Sequence, residues 1–289
     1  MVRLSRTAAL LLHTTRCVAA ADTELQAWYN SAATQTGPAV EKWDQYFGLY
    51  ERHLERFRGT DVAMAEVGVH SGGSLRMWRW YFGKKAHLVG CDIEKRTAQY
   101  QNNPDYGSPQ KMVIGDQASG EFWDRFVAEV PRLDVLIDDG GHTPEMQHAT
   151  MERALPLLAP GGVYIIEDIH GAQNGFAREV FERFIDGFDG LNAGVPGHTW
   201  LRKRGHARDR KLEHKWRVDA RGSKQEVIHH DRLSSSQRSL FAITYYPYAI
   251  VIEKLYRNRT ELRAGVRGDR WLPDEFDHRL RKKSSRPPL

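Results

Sequence analysis

Only two cysteines, Cys17 and Cys91, occur in 289 residues. That excludes a disulfide framework and a cysteine-rich zinc site. Long apolar runs are also missing. Ala8–Leu12 is too short to span a bilayer, and no other stretch reads as a membrane span. The chain lacks the G-x-G-x-x-G fingerprint of dinucleotide binding and the Gly-Lys-Ser/Thr of a phosphate-binding loop. An NAD-linked oxidoreductase is therefore disfavoured. The formal net charge is +5, and much of the positive charge falls in 202–224 and 279–286. No recognised nucleic-acid motif accompanies those stretches. They read as solvated basic loops and tail, and no nucleic-acid partner is expected.

What is present suits a globular protein. Charged residues make up 27% and hydrophobic ones 40%, an ordinary balance for such a chain. The length favours one large α/β domain with additions over two full domains. The first 21 residues carry Arg3, Arg6 and Arg16 and no acid. Residues 1–37 are therefore expected to be a targeting or helical segment. Cytoplasmic placement is the working expectation, with organelle or secretory targeting by those 21 residues as the alternative.

From 38 onward the pattern is regular. Aromatic and apolar residues at 43, 46, 47, 50, 54 and 57 recur at helical spacing. Strands are then expected at Val62–Val69, His87–Ile93, Lys111–Gly115, Leu133–Ile137 and Gly162–Ile166. Helices are expected at Ser74–Phe82, Glu121–Val130, Glu145–Leu158 and about 174–186. Ala159-Pro-Gly-Gly162 reads as a turn. This alternation predicts a doubly wound, mostly parallel sheet. Residues 187–226 break it and read as an insertion or lid. Strands near Arg238–Tyr246 and Ala249–Tyr256 imply an antiparallel hairpin at the sheet's end. The main domain is thus expected over 38–256, with a basic tail over 257–289.

Two of the apolar runs end in acid and histidine: Asp134-Val-Leu-Ile-Asp-Asp-Gly-Gly-His142 and Val163-Tyr-Ile-Ile-Glu-Asp-Ile-His170. Open α/β sheets place ligands at the carboxyl ends of their strands. If these strands are neighbours, Asp138, Asp139, Glu167 and Asp168 converge beside His142 and His170. Four converging carboxylates repel one another and cost desolvation, so a hard metal ion is the simplest compensation. Asp138 can instead cap or orient its loop. His170 reads equally as a residue supporting the site or as a surface one.

A second constellation lies earlier. Glu66-Val-Gly-Val-His-Ser-Gly-Gly-Ser74 links the first strand to its helix. Gly68, Gly72 and Gly73 permit a tight turn and close approach of a ligand, and Ser74 can cap the helix. A carboxylate at Glu66 suits a positively charged ligand. The second strand ends in Gly90-Cys-Asp-Ile93, where an acid typically binds ribose hydroxyls. The third ends in Gly115-Asp-Gln117, which can face an adenine ring.

These motifs resemble those of the class I S-adenosylmethionine-dependent methyltransferases. Within them the chain is similar to the metal-dependent sugar O-methyltransferases of the mycinamicin and macrocin type. Glu66–Trp78, Gly90–Ile93, Gly115–Gln117, Asp134–His142, Pro160–His170 and Tyr245–Lys254 carry the resemblance, and Gly141 departs from it where serine is frequent. The resemblance implies a Rossmann-like seven-stranded sheet with an antiparallel last strand. It implies that Glu66, Gly68, Ser71, Gly72, Gly73 and Ser74 hold the methionine part of S-adenosyl-L-methionine. Asp92 would take the ribose and Asp116 the adenine side, with Gln117 and Asp138 also lining the cofactor. Asp139, Glu167 and Asp168 would ligate a divalent ion, magnesium (Mg2+), and His142 would be the general base. The expected partner is a small-molecule acceptor with a hydroxyl, on a sugar or glycosylated metabolite. A homo-oligomer is compatible with this reading. A catechol-type vicinal diol is the alternative acceptor, and a catalytically silent nucleotide-binding protein is the alternative class.

Overall fold

A computed structural model describes residues 22–170, 175–187, 189–192, 217–218, 224–229 and 233–265. The expected targeting segment at 1–21 and most of the expected lid lie outside them. Contacts divide the chain into two compact units, one ending at Asp116 and the other starting at Gln117.

The first unit begins with helices α1 (Glu24–Tyr29) and α2 (Asp44–Leu54). Helix α2 is shorter than the aromatic spacing suggests. Trp43 is its N-cap and is exposed, so the apolar face starts at Tyr46. Strand β1 (Ala63–Val67) is buried at every position, as a strand covered on both faces should be. Helix α3 (Gly73–Phe82) buries Leu75, Met77, Trp78, Tyr81 and Phe82. Trp78 meets Tyr50 of α2 edge to face, with ring centroids 5.0 Å apart. Strands β2 (His87–Asp92) and β3 (Lys111–Ile114) follow, and both β1–β2 and β2–β3 pair in parallel.

One arginine ties this unit's loops together. The Arg79 guanidinium donates to the carbonyls of Gly107 (2.8 Å), Gly83 (2.9 Å), Ala86 (2.8 Å) and Ser108 (3.3 Å). A planar fork with five donors can span this set, whereas an ammonium offers one point.

The second unit begins with α4 (Gly120–Glu129), which buries Phe122, Trp123 and Phe126. Strand β4 (Leu133–Asp138) is wholly buried. Helix α5 (Pro144–Ala154) is capped by the Thr143 side chain and carries proline in its first turn, two strong start signals. Strand β5 spans Leu158–Ile166. The expected Pro-Gly-Gly turn lies inside it, where it forms an irregularity in the pairing. Leu133 pairs with Leu158 and Val135 with Val163, so β5 carries extra residues there. Helix α6 (Phe176–Phe181) continues as one π-helical turn to Asp186.

Strand β6 (Arg217–Val218) lies in the segment that breaks the sequence pattern, and β7 (Lys224–His229) starts in it. A short helix α7 (Ser235–Ser239) leads into the hairpin of β8 (Leu240–Tyr246) and β9 (Ala249–Lys254). Strand β10 (Glu261–Gly265) pairs antiparallel with β7, giving a separate sheet of order β10-β7-β6. The main sheet has seven strands in the order β3-β2-β1-β4-β5-β9-β8. Its β9 is antiparallel to β5. This is the mixed sheet that the alternation and the final hairpin predict.

Replacing Arg79 with Met removes four carbonyl contacts and leaves part-buried acceptors without that donor. The expected loss is about 2–4 kcal/mol, from roughly 1 kcal/mol per hydrogen bond plus desolvation. Lys should restore only a small part of it. Urea unfolding of the two variants against the parent protein checks this.

Candidate functional site

In the first unit the glycine turn is shaped by backbone geometry. Gly68 (φ 86°) and Gly72 (φ 79°) adopt left-handed conformations that favour glycine. The Gly68 and Val69 amides both donate to the Cys91 carbonyl, at 2.8 and 3.3 Å, and bind the turn to β2. At Gly73 a Cβ would collide with the carbonyl of Ala39, so the segment before α2 seats directly on the first turn of α3. Ser71 Oγ lies 2.9 Å from His70 Nδ1. Ser74, expected as a cap, instead donates its hydroxyl to Glu66 Oε2 at 2.7 Å.

Asp92 closes the second strand and is buried. Its Oδ2 accepts the His70 amide at 2.8 Å, and its Oδ1 accepts the Glu94 amide at 2.9 Å. An ionised carboxylate has about four lone-pair sites. Each oxygen thus keeps capacity for a further donor, which suits a vicinal diol such as a ribose. Asp116 is half-buried at the end of the unit.

In the second unit β4 and β5 run parallel, with Asp138 in register with Ile166. The Glu167 amide donates to the Asp138 carbonyl at 2.9 Å, which carries the pairing to the last residues of both strands. The acidic ends are thereby fixed side by side. Asp139, His142 and Asp168 each offer a ligand atom, and these atoms lie within 4.8 Å of one another. His142 Nε2 is 3.8 Å from an Asp139 oxygen and 3.7 Å from an Asp168 oxygen. Both His142 and Asp168 have φ near 55°. For a residue with a Cβ that conformation costs about 1–2 kcal/mol. Such strain clusters at functional sites.

Asp138 plays a different part. It is 1% exposed, and burial pushes its carboxyl up to about 7 against the opposing hydrogen bonds. Oδ1 accepts from Gln117 Nε2 at 3.0 Å and Oδ2 from the Tyr164 hydroxyl at 3.1 Å. Gln117 also donates to Thr150 Oγ1 at 2.9 Å and accepts the Gly141 amide at 2.8 Å. Both residues are engaged in holding the loop that carries Asp139 and His142. A side chain at 141 would strike the Met146 thioether. Glycine there is therefore matched to this chain's own Met146.

Glu167 is buried and lies outside the Asp139–His142–Asp168 group. Its carbonyl accepts from Gln147 Nε2 at 3.0 Å. His170 sits 3.8 Å from Asp168, with its ring 5.1 Å from that of Tyr248. Sequence reasoning missed Gln147, Tyr164 and Lys42. The first two are polar residues inside apolar patterns, and their importance comes only from partners remote in the chain. Lys42 Nζ stands 3.6 Å from Glu66 Oε1, with both side chains withdrawn from water.

Gln117→Ala should cost about 2–4 kcal/mol in stability, because buried partners lose their hydrogen bonds. It should also loosen the Asp139–His142 loop. Faster hydrogen exchange over 139–143, measured by mass spectrometry, checks the second effect.

Residues 65–169 match a family model described as a methyltransferase domain. Demethylmacrocin O-methyltransferase of Streptomyces fradiae is 31% identical over 129 residues, covering 42% of this chain and 30% of that protein. Mycinamicin VI 2''-O-methyltransferase of Micromonospora griseorubida is 32% identical over 127 residues, with the same coverages of 42% and 30%. The chain thus spans about a third of the length of these curated relatives. Among solved structures, MycE methyltransferase from the mycinamycin biosynthetic pathway, in complex with Mg, SAH and mycinamycin VI, is similar with a TM-score of 0.52. That likeness has 20% identity and covers 82% of this chain and 53% of the other. It is a likeness of fold. Over residues 65–169, then, the chain is similar to a methyltransferase-domain family, and its mixed sheet is Rossmann-like in fold.

Proposed function

We propose that the chain is an S-adenosyl-L-methionine-dependent, magnesium-dependent O-methyltransferase acting on a hydroxyl of a sugar-bearing small molecule. The observation that carries this reading is the Asp139–His142–Asp168 group at the ends of two paired strands. The relatives named for O-methylation of demethylmacrocin and of mycinamicin VI at its 2'' position support the acceptor class. Neither the vicinal-diol acceptor nor the silent-binding alternative has such support.

In this reading Glu66, Gly68 and the Ser71–Ser74 turn hold the methionine portion of the cofactor. Asp92 takes the ribose hydroxyls through its remaining lone pairs, and Asp116 faces the adenine. Gln117 and Asp138 act at one remove, by fixing the loop after β4. Asp139 and Asp168 supply hard oxygen donors of the kind magnesium prefers, and Glu167, next to Asp168 but outside that group, would join them only by turning its carboxylate toward the ion. When bound, the ion supplies charge that acidifies and orients the acceptor hydroxyl.

His142 accepts the hydroxyl proton. Its Nε2 stands 3.8 and 3.7 Å from oxygens of Asp139 and Asp168, which places the base beside the proposed metal donors. The acceptor oxygen then bonds to the methyl carbon as the carbon–sulfur bond breaks, and the sulfonium becomes a neutral thioether. General-base assistance of this kind is typically worth about 10²–10⁴-fold. No helix among the described residues is long and apolar enough to cross a membrane.

Calorimetry with S-adenosylmethionine should show binding, and Asp92→Ala should weaken it by at least about tenfold, or about 1.4 kcal/mol. No binding by the parent protein would sink the assignment. Asp139→Ala and Asp168→Ala should each abolish magnesium binding while leaving cofactor affinity within about twofold. His142→Ala should lower turnover by about 10²-fold or more and leave cofactor affinity unchanged. Full turnover in chelator would remove the metal from the scheme.

A further inference from the structure

The ion pair between Lys42 and Glu66 is unusual for its burial. The two side chains are 2% and 0% exposed, at 3.6 Å. Buried pairs of this kind are weak stabilisers, because desolvation of both charges offsets their attraction. Glu66 ends β1 and receives Ser74 on its other oxygen. The expectation that a lone Glu66 carboxylate calls for a cationic ligand therefore needs amendment. With Lys42 beside it, the end of β1 presents a paired negative and positive charge, neutral in sum. The ligand chemistry that complements such a pair is a zwitterion.

Lys42 belongs to a strap that lies over the glycine turn. Arg76 of α3 donates to the carbonyls of Thr36 and Ala33, each at 3.1 Å. Gly37 takes φ 91° against the Arg76 guanidinium. Ala39 and Val40 press on Gly73, where even a methyl group would not fit. Glu66 is fully buried with Lys42 of this strap against it, so a ligand reaches the carboxylate only if the strap gives way.

We propose that Lys42 is a positioning residue for the amino-acid end of the cofactor. On binding, the Lys42–Glu66 pair is exchanged for two intermolecular ones. Glu66 takes the ligand's α-ammonium, Lys42 takes its α-carboxylate, and the strap closes over both. Charge is conserved, with one buried pair traded for two crossed pairs of the same sign pattern. This inference rests on the proposed use of S-adenosylmethionine.

The test uses two adenosine thioethers, one with the amino-acid chain on sulfur and one with a methyl group in its place. S-adenosylhomocysteine carries the zwitterion, and 5'-methylthioadenosine lacks it. Calorimetry on the full chain compares their affinities. Lys42→Met should weaken S-adenosylhomocysteine at least tenfold and leave 5'-methylthioadenosine within twofold, and Lys42→Arg should recover part of the loss. Two results would overturn the inference. One is an unchanged ratio of the two affinities, which makes Lys42 merely structural. The other is tighter binding of S-adenosylhomocysteine by Lys42→Met, which makes Lys42 only a competitor for Glu66. If Lys42→Met does not fold, the same ratio measured on Lys42→Gln and Lys42→Arg decides. A parent protein that binds neither ligand fails at the cofactor assignment itself, and the inference falls with it.

Discussion

The parallel pairing of β4 with β5 is the constraint on which the acidic cluster depends. Two strands pairing in register bring their carboxyl ends level, and the Glu167 amide on the Asp138 carbonyl extends that registry past the last apolar residue. Asp139 and Asp168, one and two residues past these strand ends, come within 4 Å of the His142 ring. The left-handed backbone at His142 and Asp168 completes the convergence. A slip of one residue in this pairing would turn the whole set to the opposite face.

The loop after β4 is held from below by groups that do no chemistry themselves. Gln117 uses its whole amide to join Asp138, Thr150 and the Gly141 backbone. Tyr164, from the neighbouring strand, reaches the other Asp138 oxygen. A buried network is valuable only when all of its members are satisfied. Here the satisfied partners convert a flexible Asp-Gly-Gly-His run into a fixed platform. The cost is an acid at 138 whose ionised form burial disfavours.

Much of the fold was legible in the chain. The five alternating strands and the terminal hairpin follow from apolar runs and turn residues whose signals are local. The acidic strand ends were legible for the same reason, since each follows its apolar run directly. Errors fell where local signals compete. Pro160-Gly-Gly162 reads as a turn, yet the strand absorbs it as an irregularity because its flanks are pinned to β4. Trp43 reads as part of an apolar face, yet it caps the helix and faces solvent. Strands β7 and β10 pair across more than thirty residues, and polar sequences of that kind carry little periodicity.

By itself the sequence determined which residues could do chemistry: the acids, histidines and glycines at strand ends, and the order in which they occur. Those are properties of short windows, where period and residue type act alone. Tertiary structure decided the membership of each group. It joined His142 to Asp139 and Asp168, left Glu167 outside that group, set Asp138 and Gln117 beneath the loop, and put Lys42 against Glu66. Partners such as Lys42 and Glu66, or Gln117 and Asp138, are more than twenty residues apart in sequence. Only strand pairing and burial bring them within reach, and no local pattern encodes that distance.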